Sequence, residues 1–178
     1  MTYIALLRGI NVGGNKMIAM ADLRSILTTM GLTDVVTVLQ SGNVVFRAAG
    51  RTLSSTLEAR LEAALEKRLG LSVDFHVRSA DEWKAILAAN PFRAEAEKDP
   101  GHLLVSCFKI PLDRARVQAL QAAIVGRERL HADGRHLYMT FPDGMGNSKA
   151  ARLVDKTLAA RGTARNWNTM LKLSALLG

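Results

Sequence analysis

The feature that most constrains the fold is an order of segments. An apolar strand-like run, a helical run, two β-rich runs joined by a tight turn and a second helical run follow one another, and then the order begins again. In the first round, residues 3–10 are short, apolar and followed by glycines, as a buried strand is. Residues 20–30 place Leu23, Ile26, Leu27 and Met30 at helical spacing, and Gly31 stands just past the end, where a C-cap belongs. Residues 35–40 and 44–48 are β-rich and joined by Ser-Gly-Asn, a hairpin signal. Residues 54–69 carry Leu57, Leu61, Leu65 and Leu69 four apart and stop at Gly70, which reads as an amphipathic helix. Residues 72–77 alternate Val73, Phe75 and Val77 with polar neighbours, the period of a half-buried strand.

That order is β-α-β-β-α-β, the ferredoxin-like order. It packs two helices on one face of an antiparallel sheet, with the first strand central and beside the third. Residues 80–89 add a helix, which stops at Asn90-Pro91 because the residue before proline avoids the α region. Residues 91–101 are polar and read as a linker or crossing loop. The second round expects a strand at 102–110 and a helix at 112–125 with Val117, Leu120 and Ile124 inward. A hairpin follows, with strands at 128–132 and 135–141 around Asp133-Gly134. Residues 148–160 and 165–177 read as helices. The expected class is α+β: a ferredoxin-like βαββαβ subdomain with an extra helix over 1–90, then a βαββα-type subdomain with a C-terminal helix over 102–178.

Bulk properties narrow the function classes. No apolar run reaches the roughly 18 residues of a membrane span. The stretch MTYIALLRGIN has no basic region before its apolar run and no small-residue cleavage site, so no signal peptide is expected. The one cysteine, Cys107, sits in an apolar strand-like run and reads as a buried structural thiol in a reducing, cytoplasmic setting. The net charge is +8, with 10 basic and 8 acidic side chains in residues 1–90 against 14 and 8 in residues 91–178. A basic second half points to an anionic partner, a phosphate-bearing small molecule or nucleic acid. Many bacterial chains are basic with no such purpose, and no run of Lys or Arg longer than the pair Lys67-Arg68 is present.

Four motifs stand out. In LLRGINVGGNK, Arg8, Asn11, Gly13, Gly14 and Lys16 lie between strand and helix, where backbone N–H groups can face an anion. The loop matches neither the Walker pattern nor the dinucleotide fingerprint, and a turn whose glycines serve only geometry accounts for it equally well. In LQSGNV, Gln40, Ser41 and Asn43 lie at a hairpin turn that they could simply be stabilising. In FPDGMGNSK, Asn147 or Ser148 suits a helix cap, and the N–H groups there with Lys149 also suit an anion. In GTARNWNT, Thr163 can cap the last helix, and Arg165, Asn166 and Asn168 surround Trp167. Two asparagines in one helical turn need a reason, either a polar network or a site for a base, sugar or phosphate.

Other chemistry has little support. His76, His102, His131 and His136 lack zinc spacing, although His131 and His136 could face each other across the hairpin. No metal or cofactor is expected. Glu58, Glu62 and Glu66 read as a solvated helix stripe, and paired catalytic carboxylates are not visible.

Taken together, YIALLRGINVGG, MADLR, QSGNVVF, PDGMGNSK and GTARNWNT resemble one bacterial family of uncharacterised cytoplasmic proteins, known only as a domain of unknown function. The resemblance spans nearly the whole chain. It implies an α+β make-up with ferredoxin-like subdomains and no established activity, cofactor or catalytic residue. The expected function is binding of an anionic ligand at a composite site between the glycine loop and the Arg165–Asn168 segment. The alternatives are an enzyme acting on small phosphate or acyl-phosphate substrates, with Arg8, the Gly13-Gly14 loop and Asn43 as its set, and an interaction domain without chemistry.

Overall fold

The structure, a computed structural model, describes residues 1–14, 16–146 and 148–177. The chain divides into two compact units, residues 1–85 with 172–178, and residues 86–171. The segment 91–101, expected to link two subdomains, therefore falls inside the second unit. It carries a short helix, Arg93–Lys98.

The first unit runs β1 (Thr2–Leu7), α1 (Met20–Thr29), β2 (Thr33–Val38), β3 (Asn43–Arg47), α2 (Ser54–Leu69) and β4 (Phe75–Ser79). The helix Ala80–Ala88, α3, follows. The sheet order is β2-β3-β1-β4, all antiparallel, with β1 central beside β3. Tyr3, Ala5 and Leu7 alternate along β1 and pack with Leu23 and Leu27 of α1 and with Leu57, Leu61 and Leu65 of α2. Each such leucine, once buried, contributes about 1.5–3 kcal/mol relative to exposure. Gly70 ends α2 at φ 65°, ψ 21°, and its N–H reaches Glu66 O at 2.8 Å.

The glutamate stripe of α2 is solvated as expected only at Glu66. Glu58 is buried, and its Oε1 accepts the Val77 N–H at 2.8 Å. Glu62 Oε1 accepts the Phe75 N–H at 2.8 Å. β4 is an edge strand, so these donors have no neighbouring strand. The geometry explains the pairing. Four residues of helix rise about 6 Å, and two residues of strand span about 6.6 Å. Carboxylates one helical turn apart therefore match alternate N–H groups on an edge. The next outward donor, Ser79 N–H, goes to Glu82 Oε2 of α3 at 2.7 Å, while Glu82 N–H returns to Ser79 Oγ at 3.2 Å, a capping box. Arg78, fully buried, donates to Val77 O at 2.7 Å and lies 3.7 Å from Glu58 Oε1.

The second unit contains Arg93–Lys98 (α4), β5 (Leu103–Cys107), α5 (Arg114–Ala123), β6 (Arg129–Asp133), β7 (His136–Thr140), α6 (Lys149–Leu158) and β8 (Thr163–Asn166), then enters α7 (Trp167–Ser174). The order β6-β7-β5-β8 repeats that of the first sheet. Leu104, Leu120, Leu137, Met139 and Leu158 are buried in its core. Arg165 and Asn166, expected to open a last helix over 165–177, belong instead to the strand Thr163–Asn166, paired with β5, so this unit is βαββαβ as well. His131 and His136 do not face each other: His131 lies opposite Tyr138 and His136 opposite Asp133.

The edge contacts generate a stability prediction. Glu58→Leu removes the acceptor of the Val77 N–H and the carboxylate beside buried Arg78. Denaturant unfolding should show a loss of about 3–5 kcal/mol, against roughly 1 kcal/mol for Glu62→Leu. Equal losses would contradict the burial difference between the two.

Candidate functional site

Two of the four sequence motifs meet in the first unit. β1 runs antiparallel to β3, with Leu6 opposite Asn43, so the end of β1 lies beside the β2–β3 turn. Leu7 N–H donates to Gly42 O at 2.8 Å, and Arg8 N–H donates to Asp74 O at 3.0 Å. Gly42 has φ +77°, and a Cβ there would lie 2.7 Å from Ile10 Cδ1 and 2.8 Å from Leu7 Cβ. Only glycine satisfies both the left-handed backbone and the close approach.

Asn11 then closes the glycine loop. It is half-buried at φ 53°, a conformation asparagine tolerates better than most residues. Its Nδ2 donates to Ile18 O at 3.0 Å and to Gln40 O at 2.8 Å, and its Oδ1 accepts the Ile18 N–H at 2.8 Å. Its own N–H donates to Lys16 O at 3.3 Å. One side chain thus ties residues 11–18 into a closed loop and fastens that loop to the hairpin turn. Between the fixed ends, Gly13 (φ 62°) and Gly14 (φ 76°) are exposed. Neither of their N–H groups finds an acceptor among the described residues. Exposed Lys16, at φ 49°, sends its Nζ to Ser72 O at 2.6 Å. Asn15 lies outside the described residues.

At the turn, Gln40 and Ser41 are exposed. Asn43 is fully buried, and its Nδ2 donates to Val38 O at 2.8 Å and to Ser41 Oγ at 3.1 Å. Its amide N–H groups serve the turn. Ser72 and Asp74 join this loop cluster without having been singled out. Their place follows from the β1–β4 pairing, for which no local motif codes.

The other two motifs belong to the second unit. Ser148 is the N-cap of α6, with Oγ accepting from Ala151 N–H at 3.3 Å and donating to Glu128 Oε1. Asn147, the other capping candidate, lies outside the described residues. The Ser148 hydroxyl holds the Glu128 carboxyl below its ordinary value. Exposed Lys149, with Glu128, Asp143 and Ser148, lines a cavity of about 370 Å³, so both signs of charge are present.

Arg165 sits in β8, buried, donating to Thr163 Oγ1 and to Ala164 O at 2.8 Å each. Burial pushes its guanidinium down to about 10. Asn166 Oδ1 accepts from Thr169 N–H at 3.0 Å and Thr169 Oγ1 at 2.9 Å, so it caps α7 in place of Thr163. Trp167 is buried and Asn168 exposed. The asparagine pair is thus split between a capping role and a surface position. Among the described residues, no three His, Cys, Asp or Glu side chains gather as metal ligands.

Two outcomes test these assignments. Asn11→Ala loses three side-chain hydrogen bonds and keeps the left-handed backbone. It should cost about 3 kcal/mol, and the Ile18 amide should exchange with solvent much faster than in the parent; unchanged Ile18 protection would refute the clamp. Ser148→Ala should cost about 1 kcal/mol as a lost cap and let the Glu128 carboxyl rise toward its ordinary value, as a carbon-detected pH titration reads. Because Glu128 is lowered in the folded state, its contribution is present at neutral pH and is lost as pH falls through the folded value. Ser148→Ala should flatten that acid limb.

Comparison with known proteins adds family and fold. The family described as "Protein of unknown function (DUF1697)" matches residues 1–138. Among solved structures, the chain is similar to the conserved bacterial protein SP0830 from Streptococcus pneumoniae. That likeness has a TM-score of 0.73 and 25% identity, covering 99% of this chain and 98% of the other. No curated protein matches. With its two βαββαβ units and a family match over more than half its length, the chain belongs to the DUF1697 family of proteins of unknown function.

Proposed function

We propose that the protein binds a phosphate-bearing ligand at the clamped loop of residues 11–18, beside the β2–β3 turn. The observation that carries this reading is the pair of exposed glycine N–H groups, Gly13 and Gly14, held between hydrogen-bonded loop ends and next to Lys16. A loop fixed before the ligand arrives loses little conformational entropy on binding. Backbone N–H groups then supply donors without side-chain ordering, and Lys16 adds a positive charge. Arg8, at the other end of the loop, extends the basic character. The net charge of +8 favours capture of an anion at low ionic strength.

Arg165 and Asn166 are given structural roles in this reading, because their polar atoms meet partners within their own unit. Acyl-phosphate hydrolysis is the weaker alternative, since Asn43 is buried and its amide N–H groups hold the turn. Cys107, buried and in no disulfide, supports a reducing, cytoplasmic setting.

The test is a calorimetric titration at low salt with inorganic pyrophosphate and, separately, with a single-stranded oligonucleotide. Lys16→Gln should weaken binding about tenfold, the worth of one charge-assisted contact. A steep salt slope for the oligonucleotide, with pyrophosphate bound weakly, would identify a nucleic-acid backbone as the source of the phosphate. Tight pyrophosphate binding would identify a small molecule. Binding of neither probe, or binding unchanged by Lys16→Gln, refutes the reading.

A further inference from the structure

The outer strands β2, β4 and β6 differ in how their edges are closed, and β6 lies beside a groove. Open edges invite pairing with another chain, and folded proteins block them. On β4 the outward N–H groups of Phe75, Val77 and Ser79 are taken by Glu62, Glu58 and Glu82. On β2 the register breaks between Thr33 and Val36, Asp34 has φ 51°, and Asp34 pairs with Arg47. A bulge with a charge at it is a recognised edge block.

Among the described residues, β6 has no bulge and no side-chain acceptors for its outward amides, and its one ion pair, Arg129 with Glu95, lies at its first residue. It stands at the end of the order β6-β7-β5-β8 and pairs in regular register with β7 from Arg129–Thr140 to Asp133–His136. A two-residue hairpin loop makes its closing pair, Asp133 and His136, hydrogen-bonded, so bonded pairs recur at His131 and Arg129. The N–H and C=O groups of Leu130 and Ala132 therefore point away from β7, along the free edge. Among the described residues, neither amide meets an acceptor.

Beside this edge lies a groove of about 460 Å³ between β6 and α5. Its floor includes Leu112, Val117, Leu130 and Ala132, which are only partly buried. Arg114, exposed at the first turn of α5, and His131 line its rim, and no carboxylate is among its lining residues. The unit around it, residues 86–171, carries 13 Lys and Arg against 8 Asp and Glu.

We propose that β6 and this groove form a docking site for an extended, acidic peptide segment of a partner protein, which adds a strand to the sheet. Backbone hydrogen bonds to Leu130 and Ala132 provide the pairing. Alternate apolar side chains of the peptide settle over Leu112 and Val117, and a carboxylate meets Arg114. This is strand addition, in which the main chain gives affinity and the pockets give specificity. The acidic character of the partner follows from the one-sided charge of the groove.

The probes are two blocked hexapeptides of alternating sequence, acetyl-(Glu-Val)3-amide and acetyl-(Lys-Val)3-amide, titrated into the full chain labelled with nitrogen-15. The acidic peptide should shift the Leu130 and Ala132 amides and slow their exchange, and should bind at least about tenfold more tightly than the lysine peptide. Ala132→Pro removes an outward donor at an edge position where proline is tolerated, and should weaken binding about tenfold. Arg114→Glu keeps the strand intact and should reverse the preference between the peptides. No binding of the acidic peptide, equal binding of both, or shifts confined to other residues would overturn the proposal. So would a dimer in sedimentation that Ala132→Pro dissociates, since the edge would then be occupied by a second copy of this chain.

Discussion

The side-chain amide of Asn11 joins loops 29 residues apart, and the geometry of the candidate site depends on it. Its Nδ2 and Oδ1 make a ring of contacts to Ile18 that closes the loop, and Nδ2 also anchors that ring to Gln40. A hydrogen bond of this kind contributes only about 1 kcal/mol net. Its importance lies in number and placement: three bonds from one rigid group fix both ends of a glycine-rich segment. The glycines between those ends can then be exposed in left-handed conformations without the loop losing its shape. Beneath the clamp, Gly42 lets the hairpin turn approach Ile10 and Leu7 so closely that no side chain would fit.

Much of this architecture was legible in the residues. The leucines of α2, the glycine that ends it and the alternation of Val73, Phe75 and Val77 gave the first βαββαβ unit because their periods match buried faces. β8 was missed for a physical reason. In Thr163–Asn166 the buried positions are Thr163 and Arg165, and the exposed one is Ala164. The usual relation between burial and hydrophobicity is inverted there, so the strand carries no apolar alternation. The helix α4 was hidden in a polar segment because none of its residues is buried.

The site was half legible. Glycines after a strand, and asparagine at a turn, marked the two loops that meet in the first unit. What the sequence withheld was the role of each polar atom. Glu58 and Glu62 looked like surface charge because helix spacing alone cannot show an edge strand whose N–H groups need acceptors. Arg165 and Asn166 looked like ligand contacts because their partners, Thr163 and Thr169, are ordinary residues two and three positions away. Polar side chains that resolve backbone problems carry the same signature in sequence as polar side chains that bind ligands.

The central claim is that Gly13 and Gly14 present their amides to a phosphate group. The most direct measurement is a nitrogen-15 correlation spectrum of the full chain, titrated with inorganic pyrophosphate at low ionic strength. Saturable downfield shifts of the Gly13 and Gly14 amide protons, with smaller shifts at Lys16, are the predicted result. A saturating titration that leaves both glycine amides unmoved, or that moves only residues outside the loop, would contradict it.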